Sequence, residues 1–349
     1  MPIEIQDLGL GSMTEWDEYI TRKNVSNPYM YGTFRDLITE TFGHDPHYLV
    51  GRRNGIISGA IPIFFMKSVF FGKLMSTLPF LTYGGIVADD EFCERELVER
   101  GVALARENDA RFWLIRQAPN YSPERSSGFK DFYQKNEKVT FLLDLPSNAD
   151  KLLASFPSKL RSQIRKTEKN GVVCRVGGVE EVAAFFSVYS RNMRDLGTPT
   201  YPITFFRNIL NRWKESCIVT AWFGEVPVGG AFLVGWQRKI EIPWASTDRR
   251  YNHLATNMGL YFAAMKYAIG SGYRVMDFGR CTPEEGTYQF KAQWGGQQSP
   301  LYWQYWTPSG IPPVVNQRDT RFTFLVNCWK KLPLGISRIL GPRIIRDIP

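Results

Sequence analysis

The chain is 349 residues long, with 44% hydrophobic and 22% charged residues and a formal net charge of +9. That length favours two domains, and the composition is that of an ordinary globular protein, which excludes disordered, collagen-like and coiled-coil classes. The longest apolar run, Ile56 to Met66, falls well short of the roughly 20 residues a spanning helix needs, and no basic-then-apolar leader is visible at Met1, so a cytoplasmic protein is expected.

Taken in chain order, His47 to Phe65 reads as two apolar strands around Asn54-Gly55, a strong hairpin signal. Glu91 to Asn108 places Leu97, Gly101, Leu104 and Ala105 at helical spacing, and Ala110 to Ala118 reads as a strand. A helical connector is expected over Asp150 to Asn170, Val179 to Leu196 and Ile203 to Glu215. Asn170-Gly171 and Gly197 supply stops for the first two. Then the first order returns. Cys217 to Phe223 and Val226 to Gly235 flank a Gly224-Glu225 turn, Lys239 to Ala245 adds a strand, Thr256 to Ile269 a helix and Tyr273 to Phe278 a strand. This repeated order predicts an α/β (α+β) fold of two similar domains made by duplication, with mixed sheets flanked by helices. The expected boundaries are 1–149, 150–306 and a basic, apolar tail over 307–349.

The positive charge is concentrated. Lys151 to Asn170 holds six basic residues against one acidic, and Arg318 to Pro349 seven against two. Such patches suit phosphate groups or serve as solvated faces. In the first patch Arg161 and Arg165 lie one turn apart and are candidate substrate contacts. The tail interleaves Lys330, Lys331, Arg338 and Arg343 with Trp329, Leu332, Ile336, Ile339 and Leu340. That suits peripheral contact with the inner face of an anionic membrane, or docking on the protein's own surface, given interruptions at Pro333, Gly335, Gly341 and Pro342.

Five widely spaced cysteines and three histidines leave a disulfide framework or a zinc site without support. His44 and His47 read as a turn before a strand. No metal or resident cofactor is expected. The G-x-S-x-G, H-E-x-x-H, Walker and kinase motifs are absent. A cation held in a low-dielectric cleft can stabilise a developing oxyanion. Lys291, between Phe290 and Trp294, is the candidate. Asp277, at a strand end, could orient an amine, accept its proton or cap the next turn. Arg280 and Tyr288 are candidate substrate contacts.

The hairpin–helix–strand order resembles the core of the GNAT acyltransferases. Their Gly-rich pyrophosphate loop corresponds to Arg250-Tyr-Asn-His253-Leu-Ala255, where His253 replaces the first glycine. Trp244 and Ser246, Asn257, Asp277-Phe278-Gly279, Phe290-Lys291 and Gly295-Gly296, in that order, resemble the FemAB family of double-GNAT transferases. Its best-known members add amino acids from aminoacyl-tRNA to peptidoglycan precursors. The resemblance covers about residues 150–305, with Tyr83-Gly84-Gly85 supporting the first half, and the nearest pattern is that of FemAB-like proteins of exosortase (PEP-CTERM) exopolysaccharide systems. It implies a catalytic role for Lys291 and substrate contacts at Tyr83, Trp244, Ser246 and Asn257. It also implies an acceptor that is a phosphate-bearing or lipid-linked envelope or exopolysaccharide precursor. The donor, acyl-CoA or aminoacyl-tRNA, stays open, because no helical-hairpin arm of the kind tRNA-using members often carry is present. The rival expectation is a catalytically inactive GNAT-fold module that binds an anionic glycolipid or a polymer-synthesis partner.

Overall fold

In the computed structural model, which describes residues 2–25, 27–117, 129, 131–311 and 320–349, Asn54 and Gly55 both take positive φ, 52° and 78°. Two such residues in a row match the twist of the strands they join, and they close the expected hairpin. The chain divides into a first unit, Met1–Val139 with Pro300–Val315 and Arg346–Pro349, and a second, Thr140–Ser299 with Asn316–Ile345. Ala118, Pro312, Pro313, Arg318 and Asp319 lie outside the described residues, as does the side chain of Arg321.

The first unit contains β1 (Glu4–Asp7), α1 (Thr14–Arg22), α2 (Gly32–Phe42), β2 (Asp45–Arg53), β3 (Ile56–Ser68), β4 (Gly72–Ser76), β5 (Val87–Ala88), α3 (Glu91–Glu107) and β6 (Trp113–Arg116). Strand β7 (Phe132–Asp144) begins in this unit and ends in the second. The sheet order here is β1-β2-β3-β4-β6, continued by the later strand Gln297–Trp306, with β5 on β3. β4 and β6 are parallel, and α3 lies between them in the chain. Asp90 starts α3 by accepting the Cys93 N–H at 2.9 Å, and Glu91 and Glu94 sit in its first turn, where they suit the helix dipole. Leu97, Leu104 and Ala105 face Ile61, Trp113 and Trp306 in the core. Gly101 allows the closest approach: a Cβ there would lie 2.3 Å from the Trp113 ring, so even alanine overpacks the site.

The second unit contains α4 (Ala149–Ser155), α5 (Ser158–Lys169), β8 (Val172–Gly177), α6 (Val182–Leu196), α7 (Ile203–Arg212), β9 (Ser216–Phe223), β10 (Val226–Trp236), β11 (Lys239–Thr247), α8 (Thr256–Gly270), β12 (Val275–Asp277) and α9 (Gly286–Ala292). It also holds the start of β13 (Gln297–Trp306) and both tail helices, α10 (Thr320–Lys330) and α11 (Leu334–Ile345). Its sheet order is β7-β12-β11-β10-β9-β8, with β11 and β12 parallel.

Three expectations need correction. The helix expected over 150–170 is two helices, because Pro157 has no N–H to donate and drives Phe156 to ψ 149°. The third connector helix ends at Arg212, with Trp213 already extended. The tail is not broken into irregular chain. Pro333 precedes the first turn of α11, where a missing N–H costs nothing, Gly341 packs against Thr200, and Pro342 is carried inside the helix.

The tail docks on its own unit. Arg194 Nη1 donates to the Leu332 carbonyl at 3.2 Å, and Gly197 meets Val326. Trp329 is buried and Leu332 half-buried, whereas Ile336, Ile339 and Leu340 are exposed, so the five apolar residues do not share one exposed side. Among the described residues, no helix is long and apolar enough to cross a membrane.

Candidate active site

β11 and β12 stay in register to Glu241 opposite Asp277, where β12 ends while β11 continues to Thr247. The chain turns at Gly279, whose φ is 70° and whose Cβ, if present, would lie 2.6 Å from the Ile242 carbonyl oxygen. Only glycine satisfies both the angle and the approach.

The turn carbonyls receive a lysine. Lys291, on the short helix α9, is 8% exposed and donates from Nζ to the carbonyls of Gly279 (2.8 Å) and Arg280 (3.0 Å). An ammonium has three donors, so one remains. Phe290 packs against Tyr261, and Trp294 against Tyr261 and Phe278. This wall lowers the local dielectric and strengthens any charge interaction there. Burial pushes the Lys291 ammonium below the usual lysine range. The fields of Cys281, Asp277 and Glu241 oppose that shift, and Arg280 adds to it.

Asp277 is fully buried and its oxygens are occupied. Oδ1 accepts from Thr140 Oγ1 at 2.6 Å and from the Gly279 N–H at 2.9 Å, while Oδ2 faces Lys239 Nζ at 3.6 Å. Of the roles open to it in the sequence, fixing the turn is the one these bonds support. A carboxylate so engaged is poorly placed to take a proton from an incoming amine.

Thr140, Lys239 and Glu241 were not singled out from sequence, although a glutamate between two isoleucines in an apolar strand is a signal that could have found Glu241. Asn192 on α6 was also missed; its Nδ2 donates to Ser246 Oγ at 3.0 Å, and nothing in its sequence context marks it.

The other expected site residues are spread out. Trp244 is enclosed by Tyr201, Phe205, Phe206 and Phe232 and belongs to the core. Arg280 is half-buried, and its charge is felt by the buried Tyr189 hydroxyl on α6. Tyr288 packs edge-on against Phe141 and donates to Gln298 Oε1 at 2.6 Å. Asn257 is exposed on the first turn of α8. Arg161 bonds the Ala154 and Phe156 carbonyls at the end of α4, which ties the α4–α5 corner, and Arg165 is exposed. Tyr83 is buried in the first unit, in the segment between β4 and β5.

The loop before α8 forms a 3-10 turn over Arg249–Leu254, and the residue at positive φ is Ala255 (59°), not His253. The turn therefore closes without the glycine missing at position 253. All five cysteines are free, and among the described residues no group of three or more His, Cys, Asp or Glu could hold a metal ion.

Residues 154–292 match the acetyltransferase (GNAT) domain family. No curated protein matches the chain. Among solved structures, the chain is similar to FemX (15% identity, TM-score 0.61), over 86% of this chain and 96% of that one. It is similar to a domain assigned as the C-terminal domain of a lysylphosphatidylglycerol synthetase from Agrobacterium fabrum (14%, 0.57), over 85% and 94%. It is also similar to a tandem GNAT protein from the clavulanic acid biosynthesis pathway (12%, 0.55), over 89% and 100%. The fold is thus the tandem GNAT-type α/β fold, and the matched segment holds Lys291, Asp277 and Ser246.

Proposed function

We propose that the second unit transfers an acyl or aminoacyl group to an amine. The observation that carries this reading is Lys291: a buried ammonium against an aromatic wall, with two donors spent on turn carbonyls and the third left over. The amine nitrogen attacks the donor carbonyl, and the resulting oxyanion takes the third Lys291 N–H. Collapse of the intermediate forms the amide and expels a thiolate from an acyl-CoA or a ribose alkoxide from an aminoacyl-tRNA, while the amine proton passes to the leaving group or to solvent. One such donor contributes on the order of 3 kcal/mol to the transition state. Asp277 is a positioning residue in this scheme, holding the turn whose carbonyls hold Lys291.

The acceptor proposed is a phosphate-bearing or lipid-linked envelope or exopolysaccharide precursor of the kind handled in exosortase-associated systems. The likeness to a domain assigned to a lysylphosphatidylglycerol synthetase supports the lipid-linked class. Peripheral membrane contact is part of the proposal, supported by exposed Phe324, Leu325, Ile336, Ile339 and Leu340 beside Lys330, Lys331 and Arg343. Each cation near an anionic surface contributes on the order of 1 kcal/mol.

The deciding experiment incubates the protein with acyl-CoAs and with charged tRNAs and amine acceptors, and reads products by mass spectrometry. A product from either donor class supports transfer. Saturable binding without product across both classes favours the inactive binding module. For the membrane, Ile339→Glu should reduce co-sedimentation with phosphatidylglycerol vesicles at low salt. Truncation is a poor test, since the tail helices pack on α6.

A further inference from the structure

Helix α6 carries Ser190, Arg191 and Asn192 in succession, and α11 brings Arg338 to that turn. Arg338 Nε donates to Ser190 Oγ at 2.9 Å, and its guanidinium lies over the Phe186 ring, 5.6 Å from the centroid. Arg191 reaches one acid, Asp248, at 3.5 Å. That carboxylate is already held by Arg250, through Nε at 3.0 and 3.1 Å and Nη2 at 2.5 Å. Two guanidiniums therefore share one carboxylate, and among the described residues no acidic side chain pairs with the third, Arg338.

Holding like charges together in a half-buried place is unfavourable unless a counter-anion arrives. Burial and the Arg191 charge both press the Arg338 proton affinity down. The location is also suggestive. Asn192, next to Arg191, bonds Ser246, and Asp248 stands two residues beyond Ser246 at the entrance to the turn before α8. Planar guanidinium forks match phosphate oxygens in pairs.

We propose that Arg191 and Arg338 bind a phosphate or diphosphate group, so that the C-terminal helix α11 completes an anion site on the second unit. Its identification as a substrate subsite rests on the acyl-transfer reading, whereas the site itself does not. Full-length protein is titrated with inorganic pyrophosphate at low ionic strength by calorimetry. Wild type should bind, Arg338→Gln and Arg191→Gln should each weaken binding on the order of tenfold or more, and Arg338→Lys should restore part of it. Arg175→Gln, at an arginine lying over the Trp222 ring, is the control and should bind as wild type. Circular dichroism checks folding; if Arg338→Gln unfolds, Arg191→Gln carries the test. Failure of the wild type to bind, or unchanged binding in the folded glutamine variants, overturns the site.

Competition identifies the source of the phosphate. Displacement of pyrophosphate by uridine diphosphate points to a soluble nucleotide-linked group, and displacement by vesicles carrying a prenyl diphosphate to a lipid-linked one. Displacement by neither overturns the proposal. Pyrophosphate binding without any transfer product would sink the acyl-transfer reading alone, and product without pyrophosphate binding would sink this site alone.

Discussion

The same strand–helix–strand frame occurs in both units, and in each a buried charge, of opposite sign in the two, stands at the end of the second strand of the parallel pair. In the first unit β4 and β6 pair from Met75 opposite Trp113 to Ser76 opposite Leu114. Arg116 ends β6, 1% exposed, and donates to Ser76 Oγ (3.2 Å) and to the Thr77 (3.4 Å) and Leu78 (3.1 Å) carbonyls, with its guanidinium 5.1 Å from the Trp303 ring centroid. In the second unit Asp277 ends β12, and the cation arrives from a separate helix as Lys291. The guanidinium is turned on the segment that follows its own parallel pair, where Leu78 and Phe80 take positive φ. The ammonium keeps a donor in hand. On the proposed reading the frame is turned to chemistry in the second unit, through Lys291, whereas the Arg116 contacts run to the end of β4 and the chain that follows it.

Lys291→Met tests this most severely. Turnover per folded molecule should fall about 10²- to 10³-fold. Because two buried carbonyls lose their donor, stability should also drop, by about 1–3 kcal/mol, so turnover must be normalised to the folded fraction. Near-normal turnover would break the contrast between the units. Next in size is Arg116→Met, expected to cost about 3 kcal/mol in denaturant unfolding while leaving turnover of the folded protein unchanged. Lost turnover at full stability would make the first unit chemically active too.

A pH series separates the units without touching the chemistry. His44, buried and stacked beside the Phe42 and Phe80 rings, is pushed down to about 4 by burial. Between that value and 6.5 the unfolded chain binds the extra proton, so stability is full above 6.5 and falls as pH drops towards 4, by about 3 kcal/mol. His44→Phe should flatten that slope. Lys291, also depressed, acts in a different window. Between its lowered folded value and 10.5 the unfolded chain again holds more protons, so stability rises with pH in that window and levels off above 10.5, and Lys291→Met should remove this dependence. The smallest expected effect is that of Asp277→Asn, which retains an acceptor for Thr140 and Gly279 but loses the charge facing Lys239. About tenfold in turnover is expected, equivalent to about 1.4 kcal/mol, with substrate affinity little changed.

Both hairpins, α3 and α8 were legible because their apolar residues recur at the period of the element they form. Strand β7 was not, since Lys135, Asn136, Glu137 and Lys138 break the alternation, and β13 was hidden by Gln297, Gln298 and Pro300. Lys291 was singled out through Phe290-Lys291, a local signal, whereas Thr140 reaches Asp277 across 137 positions and Asn192 reaches Ser246 across 54. No local pattern encodes contacts of that span. Trp244 was drawn into the site by motif order alone. Which side of β11 it occupies depends on Tyr201, Phe205 and Phe206, contributed by α7 and the residues just before it.

The strand that completes the first unit's sheet also dictates a schedule. β6 takes β13 as its antiparallel neighbour, Arg116 opposite Trp303, and the neighbouring Gln117 and Gln304 side chains bond across 187 positions. At ~5–20 residues per second of synthesis, β6 leaves the ribosome on the order of ten seconds or more before β13 exists. Throughout that interval its outer edge, built from Trp113, Leu114 and Ile115, offers unpaired backbone to any other strand. The nascent first unit therefore carries this open edge for longer than its own length would suggest, and its yield in cells should depend on how quickly the second unit is made.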